Sequence, residues 1–443
     1  MIWIELAILL GCILAGARLG GIALGTVAGI GLVIFVFVFA LPPGGPPGVV
    51  IGMIIAVITA LATMQAAGGL DYLVSLAERI MRSRPQYITF VAPVVTWVLV
   101  LASGTTHVIY AVLPVIAEVS RKADIRPERP LSISTIAGFQ GVIASPISAA
   151  TVAMIGLIAA RGISLPRLMA ITIPSTFFAV LIGALSVAWR GKKLSDDPEY
   201  QARLATAAVK PPEGLPVQKA PELVSARGST ILFMTGIILV VLIGMFPKMR
   251  PVYEVTTSGA VDSDQVSVAM AIMIVMLAVA GMTMIVFKAS PEATVKGTIM
   301  RSGVVAIISI VGVSWLGSSF FEGNRPYIVS GISDVIRHFP STFAVGLFVL
   351  SALLFSAAAT VVILVPVGLA LGLPARFLIA FYPAANSVFF LPTYGTLLAA
   401  VSFDQTGTTR IGKYLVNHSF MLPGLVTTIS AIIIALIVST IVL

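Results

Sequence analysis

The sequence predicts an all-α polytopic membrane protein, with about ten transmembrane spans and two re-entrant helical hairpins in an inverted-topology repeat. Composition is the first reason: of 443 residues, 58% are hydrophobic and 10% are charged, whereas soluble domains carry about 25% charged residues. The second reason is that apolar runs alternate with short basic loops. The third is a run at about 87–119, which is too long for one span and too short for two.

This run contains a polar break, Ser103-Gly-Thr-Thr-His107, near its middle. As one helix it would be about 50 Å long at 1.5 Å per residue, although the hydrocarbon core of a bilayer is only about 30 Å thick. Irregular backbone at that depth is tolerated only where protein buries it or where it lines a water-filled cavity. We therefore expect a hairpin at 86–120 that turns at the break and returns to the same face.

The chain divides into two halves of similar order joined by a polar segment. Residues 1–189 form the first repeat, with spans near 2–17, 20–40 and 48–67, an interfacial helix from Asp71 to Arg84, the hairpin 86–120, a span at 131–160 broken at Ala144-Ser-Pro146, and a closing span near 168–189. The Pro-rich, charged segment 190–228 is predicted to be a cytoplasmic linker. Residues 229–443 form the second repeat, with spans near 229–247, 265–287 and 302–321, a connector at 325–339, a hairpin at 341–373, a broken span at 376–402, and a closing span near 411–440.

Basic residues and prolines support this layout. With the N-terminus outside, 20 of the 27 Lys and Arg residues lie on the inner side, as the positive-inside rule requires. Pro146 and Pro392 interrupt corresponding spans of the two halves. Five crossings per half would invert the second copy and place both termini on the outer side. Inverted repeats with discontinuous helices are typical of secondary transporters.

Hydroxyl and small residues cluster at the predicted hairpin tips and breaks. A helix that begins there presents free N–H groups and about +0.5 charge to an anion, and a buried carboxylate needs such partners. The candidate substrate-binding residues are Ser103, Gly104, Thr105, Thr106, His107, Ser145, Pro146, Ser148, Ser356, Thr360, Asn386, Ser387, Thr393 and Thr396. Asp404, Arg410 and Lys413 are interpreted as a cytoplasmic cap rather than as substrate ligands.

The remaining composition excludes several classes of protein. The net charge of +9 resides in short loops, so we expect a bilayer and no nucleic acid as partner. With one cysteine and three histidines, we expect no metal and no cofactor. An intramembrane enzyme is disfavoured because the chain has no His-Glu-x-x-His motif and no serine nucleophile elbow. A carrier for another organic anion with sodium- or proton-coupled uptake stays open.

Several stretches, among them Ser103-Gly-Thr-Thr-His-Val-Ile-Tyr110, Leu391-Pro-Thr-Tyr394 and Gly407-Thr-Thr-Arg-Ile-Gly-Lys413, resemble the anaerobic C4-dicarboxylate transporters of the DcuA and DcuB type. The resemblance implies a bacterial inner-membrane antiporter for fumarate, succinate, malate or aspartate, in which a hairpin-bearing domain moves past a scaffold. Phe355, Ala357 and Leu397 replace polar residues of that family. The preferred substrate, the coupling ion, the direction of transport and association into a homo-oligomer stay open.

Overall fold

The computed structural model describes residues 2–19, 22–46, 48–205, 223–257, 260–338, 340–354, 356–392, 394–412 and 417–443. Over these residues the regular secondary structure is helical apart from one short β-hairpin and an isolated bridge between Ile411 and His418. The helices up to the linker are α1 (Ile2–Leu19), α2 (Ala23–Val33), α3 (Gly48–Ala66), α4 (Gly69–Ser83), α5 (Ile88–Ser103), α6 (Ile109–Lys122), α7 (Glu128–Ala144), α8 (Ala149–Ile158), α9 (Leu165–Ala188) and α10 (Pro198–Ala205). A π-helical turn, Ile34–Val38, extends α2.

The second half repeats much of this order. Its helices are α11 (Leu223–Met245), α12 (Val268–Val286), α13 (Pro291–Lys296), α14 (Thr298–His338), α15 (Ser341–Leu354), α16 (Ala357–Ala370), α17 (Ala375–Ala380), α18 (Gly395–Phe403) and α19 (Met421–Val442). An antiparallel β-hairpin of β1 (Val252–Thr257) and β2 (Ala260–Gln265) precedes α12, with Val252 opposite Gln265.

The described helices fit a multi-pass membrane protein. Six helical segments, formed by α5, α7 with α8, α9, α11, α12 and α19, are long and apolar enough to cross a bilayer within the described residues. The pair α3 and α4, bent by 72°, would add a seventh. Four shorter apolar helices, in α1, α2, α15 and α16, complete the set. The expected number of ten spans stays a prediction.

Several element boundaries differ from those expected. Helix α14 runs unbroken for 41 residues with Pro326 inside it, where the sequence predicts a span and a separate connector. Helix α19 begins at Met421 rather than near residue 411, and in the loop before it the carboxylate of Asp404 accepts hydrogen bonds from the amides of Thr406 and Thr409. Helix α11 begins at Leu223, inside the segment predicted to be linker. The β-hairpin was not expected.

The two helical hairpins are antiparallel pairs, and we name α5–α6 hairpin 1 and α15–α16 hairpin 2. At the base of hairpin 1, Glu118 of α6 accepts a hydrogen bond of 2.8 Å from Arg82, at the end of α4. Lys122 also donates to Glu118, at 2.6 Å. The chain therefore enters and leaves hairpin 1 at the same end. Arg121, three residues after Glu118, donates to Gln405 at 2.9 Å.

Most of the helix packing lies within two groups, which also pack on each other, chiefly through α14 and α16. The scaffold group contains α1, α2, α3, α11, α12 and α14, and the hairpin group contains α5 to α9 and α15 to α19. Within the scaffold group, α2 packs on α14 and α12 packs on α3, so the second helix of each half contacts the third helix of the other. The backbones of Gly25 and Gly312 touch where α2 crosses α14. Small residues allow such close packing of membrane helices.

Candidate functional site

The tip of hairpin 1 is a tight turn built on a glycine. Helix α5 ends at Ser103, and Gly104 follows with φ +69°, in the left-handed region that glycine enters without a steric penalty. The amide of Gly104 closes the helix by donating to the carbonyl of Val100 at 2.7 Å. One 3₁₀ turn, Thr106–Val108, then leads into α6. The tip is therefore a break between two helices, as expected from the sequence.

The first broken span is interrupted where the sequence places Pro146. Ser145 is extended, with φ −78° and ψ 125°, because the residue before a proline is pushed out of the helical region. Ser148 then caps α8, since its hydroxyl accepts a hydrogen bond of 3.1 Å from the amide of Thr151. The same hydroxyl donates to the carbonyl of Val142, 2.7 Å away. Both serines are fully buried.

The hairpin tip and this break lie against each other. A Cβ atom built on Gly104 would come within 2.9 Å of Cγ1 of Ile147 and 3.2 Å of its carbonyl oxygen. A cavity of about 120 Å³ opens beside the contact. Its walls are Ser103, Gly104, Thr105, Ile147 and Ala149 on the hairpin side, and Ile54, Val57, Ile58, Leu61, Ile299 and Gly303 on the scaffold side. One side of the cavity thus presents the polar tip, and the other is almost entirely aliphatic.

The second broken span has a longer interruption. After α17, a 3₁₀ turn, Tyr382–Asn386, leads into irregular backbone before α18 begins at Gly395. The side-chain amide of Asn386 donates to the carbonyl of Phe139 in α7. The amide of Ser387 donates to the hydroxyl of Ser351 in hairpin 2, 2.7 Å away. These bonds join the second break to both the first broken span and the second hairpin.

Two tyrosines connect the breaks to one another. The hydroxyl of Tyr394, just before α18, hydrogen-bonds to Thr106 in the tip of hairpin 1. The ring of Tyr394 packs edge-on against Phe139 with centroids 5.6 Å apart. The hydroxyl of Tyr382 lies 3.0 Å from that of Thr151 in α8. Neither tyrosine was a predicted site residue, although the Leu391-Pro-Thr-Tyr394 motif contains one of them.

The tip of hairpin 2 is capped by a serine. The hydroxyl of Ser356 accepts a hydrogen bond of 3.2 Å from the amide of Ala359, and Thr360 donates to the carbonyl of Ser356 at 2.8 Å. These bonds stay within α16, and α16 packs on α8 of the first broken span. The tip of hairpin 2 therefore meets the first break through helix packing, whereas Ser351 of α15 bonds to the second break.

Four helices begin at these tips and breaks: α6, α8, α16 and α18. Each N-terminus carries about +0.5 elementary charge, so together they supply about two positive charges. The sequence has no Lys or Arg in 86–120, 131–160, 341–373 or 377–409. Helix dipoles and hydrogen-bond donors, rather than basic side chains, are what these segments offer to an anion.

Most of the predicted substrate-binding residues lie at these junctions, but they differ in whether their polar groups already have hydrogen-bond partners. Thr396, in the first turn of α18, is 1% exposed, and its hydroxyl has no hydrogen-bond partner among the described residues. Gln140, which the sequence analysis missed, lies one turn before the first break, and its buried amide also has no partner among the described residues. Thr393 and the side chain of His107 lie outside what the structure describes, as does Lys413.

Comparison with known proteins gives a consistent result. The profile of a family described as anaerobic C4-dicarboxylate membrane transporters matches residues 1–443. The anaerobic C4-dicarboxylate transporter DcuB of Escherichia coli O157:H7 is 38% identical over 442 residues, covering 96% of this chain and 95% of that protein. The C4-dicarboxylate transporter DcuA of Escherichia coli K12 is 39% identical over 428 residues, covering 96% of each.

A solved structure shares the fold at low sequence identity. The YdaH transporter of Alcanivorax borkumensis superimposes with a TM-score of 0.54 at 17% identity, covering 88% of this chain and 84% of that one.

Proposed function

Because the chain belongs to the family of anaerobic C4-dicarboxylate membrane transporters, we propose that it exchanges C4-dicarboxylates, such as fumarate, succinate, malate and aspartate, across the bacterial inner membrane. The protein is a multi-pass membrane transporter and not an enzyme. The observation that carries the proposed site is the contact of the hairpin 1 tip with both breaks, at Ile147 and Tyr394.

Helix termini favour an anion at this junction. The N-termini of α6 and α8 follow the tip and the break that meet at Gly104 and Ile147, and together they offer about one positive charge; that of α18 follows Tyr394, which bonds to the same tip. Ser103, Thr106 and Thr396 add hydroxyl groups beside these termini. A carboxylate removed from water is costly unless such donors replace its hydration. We infer that the carboxylates bind at the tips and breaks, with the two central carbons against the aliphatic wall of α3.

The position of the cavity within the fold supports alternating access. The cavity at Ser103–Thr105 lies between the hairpin group and the scaffold helices α3 and α14. A shift of one group past the other would change which side of the membrane the tips face. The aliphatic scaffold residues offer no hydrogen bonds that would hold the hairpin group in one position.

We also propose that residues 1–189 and 229–443 are inverted repeats joined by a cytoplasmic linker, with both termini on the outer side. The crossed contacts α2–α14 and α12–α3 support this, because they relate corresponding helices of the two halves. So does the matching order of hairpin, broken span and closing helix.

Exchange is the mode that membrane voltage favours. Moving two negative charges inward against 100 mV costs roughly 4.6 kcal/mol, at about 2.3 kcal/mol per charge. Swapping one dianion for another moves no net charge and avoids this cost. Uptake coupled to sodium or protons is the competing mode.

Counterflow in liposomes tests the proposal. Purified protein is reconstituted with internal succinate, and entry of labelled fumarate is measured without an ion gradient. We expect accumulation that does not change when a membrane potential is imposed. Entry that requires an imposed sodium or proton gradient would contradict exchange, and absence of any dicarboxylate entry would contradict the proposed function.

The Thr396→Val variant tests whether the Thr396 hydroxyl binds substrate or only packs within the protein. Removing an unpartnered buried hydroxyl should leave stability unchanged or raise it by about 1 kcal/mol, yet KM should rise several-fold if the hydroxyl bonds the substrate. Thr172→Val in α9 is the matched control, because this hydroxyl is equally buried and also unpartnered within the described chain. Equal KM values in both variants and the unmodified protein would remove Thr396 from the site.

A further inference from the structure

A second, larger cavity lies at the far end of α18. It is open to solvent, has a volume of about 470 Å³, and lies between α10 and the loop that follows α18. The residues that give it chemical character are Glu199, Arg203, Asp404, Thr409 and Arg410. At 1.5 Å per residue, the nine residues of α18 separate this cavity from the second break by about 13 Å.

Guanidinium groups surround the cavity. The Arg203 guanidinium lies over the Cα of Gly407, where φ is +78° and a Cβ would collide with it. Arg410 is about two-thirds exposed and lies 3.9 Å from a carboxylate oxygen of Glu199. Arg121, at the base of hairpin 1, reaches the rim through its 2.9 Å hydrogen bond to Gln405. Arg203 also donates to Glu199, at 3.2 Å, so two arginines share the one exposed carboxylate of the cavity and Arg121 adds a third cationic group at the rim.

The second carboxylate of the cavity, that of Asp404, is hydrogen-bonded within its own loop. Asp404 is 4% exposed, and its oxygens accept hydrogen bonds from the amide of Thr406 at 2.9 Å and the amide of Thr409 at 2.6 Å. The hydroxyls of Thr406 and Thr408 donate to it as well. These four donors stabilise the buried carboxylate without removing its charge, and the guanidinium groups of Arg121, Arg203 and Arg410 outnumber the two carboxylates around the cavity.

One polar group in this wall lacks a partner. Thr409 is 2% exposed and lines the cavity, and its hydroxyl has no hydrogen-bond partner within the described part of the chain. An unpaired buried hydroxyl costs about 1–3 kcal/mol. The hydroxyl oxygen is out of contact with solvent, so a bound anion would reach it only after a small shift of the loop, whereas Arg203 and Arg410 could compensate the charge of the anion directly.

We propose that this cavity is a recruitment site that binds the transported dicarboxylate before it reaches the hairpin tips. The inference rests on the proposed function, since it assumes that a dicarboxylate is carried. Its size is within the usual range of about 300–1,000 Å³ for small-molecule sites. Positively charged clefts raise the local concentration of anionic ligands and their association rate. Because the cavity opens on one face of the protein, it should lower the KM only for substrate that arrives from that face.

Kinetics measured from each side test the recruitment site. Right-side-out and everted vesicles report the KM for succinate at the two faces. We expect Arg410→Gln, and Arg203→Gln with Arg410→Gln, to raise KM about three- to ten-fold at the face carrying the cavity, with kcat unchanged. Added salt should raise the KM of the unmodified protein and affect the double variant less. Arg79→Gln is the control, because Arg79 is an exposed arginine of α4 outside the cavity.

A thiol probe tests occupancy directly. Ser402 lines the cavity and is exposed, so Ser402→Cys in a Cys12→Ser background places a reactive group there. Relative to Ser75→Cys on the exposed surface of α4, the introduced thiol should favour an anionic over a cationic methanethiosulfonate reagent. Succinate should slow its modification, and Arg410→Gln should abolish that protection.

The outcomes separate the two proposals. If counterflow persists while KM at both faces and thiol protection are unaffected by Arg410→Gln and the double variant, the recruitment site is refuted and the proposed function stands. If succinate protects the thiol as expected but phosphate or citrate protects it equally at the same concentration, the site is a general anion trap, which contradicts a dicarboxylate site. Loss of counterflow in the unmodified protein would overturn the proposed function itself.

Discussion

Gly104 illustrates how a single residue sets the geometry of the site. Its positive φ costs a residue with a side chain about 1–2 kcal/mol, and the space beside its Cα is filled by Ile147. The two constraints are independent, because one concerns backbone conformation and the other concerns contact between the hairpin tip and the first break. A side chain here would push the tip away from the break and from an anion bound between them.

Gly104→Ala should therefore lower the counterflow rate more than ten-fold while the protein still inserts and folds. Gly162→Ala provides the matched control: Gly162 also has positive φ, at 76°, but a Cβ there would meet nothing within 4 Å. It should lose about 1 kcal/mol of stability and retain transport. Comparable transport by the two variants would show that close approach at Gly104 is not required.

At the scale of elements, the loop between α18 and α19 joins the two halves of the molecule. The hydroxyl of Ser419 donates to Glu128 at the start of α7, 2.9 Å away. The amide of Glu128 donates to the hydroxyl of Thr408 at 3.2 Å, and Arg126 donates to the other carboxylate oxygen at 3.0 Å. Glu128 is 4% exposed, so losing one partner would leave a poorly compensated buried charge.

His418, beside Ser419 in this loop, makes the stability of the connection depend on pH. Burial lowers the pKa of His418 from its ordinary value of 6.5, and the nearby positive charge of Arg190 lowers it further. The unfolded chain then binds the proton more tightly than the folded one. Stability conferred by neutral His418 is present above the unfolded pKa and is lost as pH falls from about 6.5 through the lowered folded value.

The melting temperature in detergent should accordingly fall between pH 7 and pH 5, and His418→Gln should flatten part of that slope. Tryptophan fluorescence during heating measures both. An identical slope in the variant would show that His418 does not take up the proton that destabilises the fold at low pH.

At the scale of the whole molecule, hairpin 1 determines the orientation of everything after it. The contact between Arg82 and Glu118 brings the two ends of the hairpin together. A full crossing by 86–120 would instead separate them by the thickness of the bilayer. The proposed inversion of the second half, and the placement of both termini, follow from this one feature.

Cysteine labelling from each side of the membrane tests whether hairpin 1 is re-entrant. In a Cys12→Ser background, Arg84→Cys and Lys122→Cys should both react with an impermeant thiol reagent from the inner face. Arg167→Cys, an exposed position in the first turn of α9, should react from the outer face. Reaction of the positions at 84 and 122 from opposite faces would contradict the re-entrant hairpin and the inverted repeat with it.

The sequence by itself determined the membrane class, the family resemblance, and the helix breaks at Gly104 and Pro146. Hydrophobic runs need helices to satisfy their backbone. Gly104, with its positive φ, and Pro146, which holds Ser145 extended, end helices for local steric reasons, whereas Pro326 lies inside an unbroken helix. Tertiary structure decided what meets at each break. The bonds from Tyr394 to Thr106 and from Asn386 to Phe139 join residues hundreds of positions apart. No local pattern encodes such pairs, because they depend on how the two halves pack.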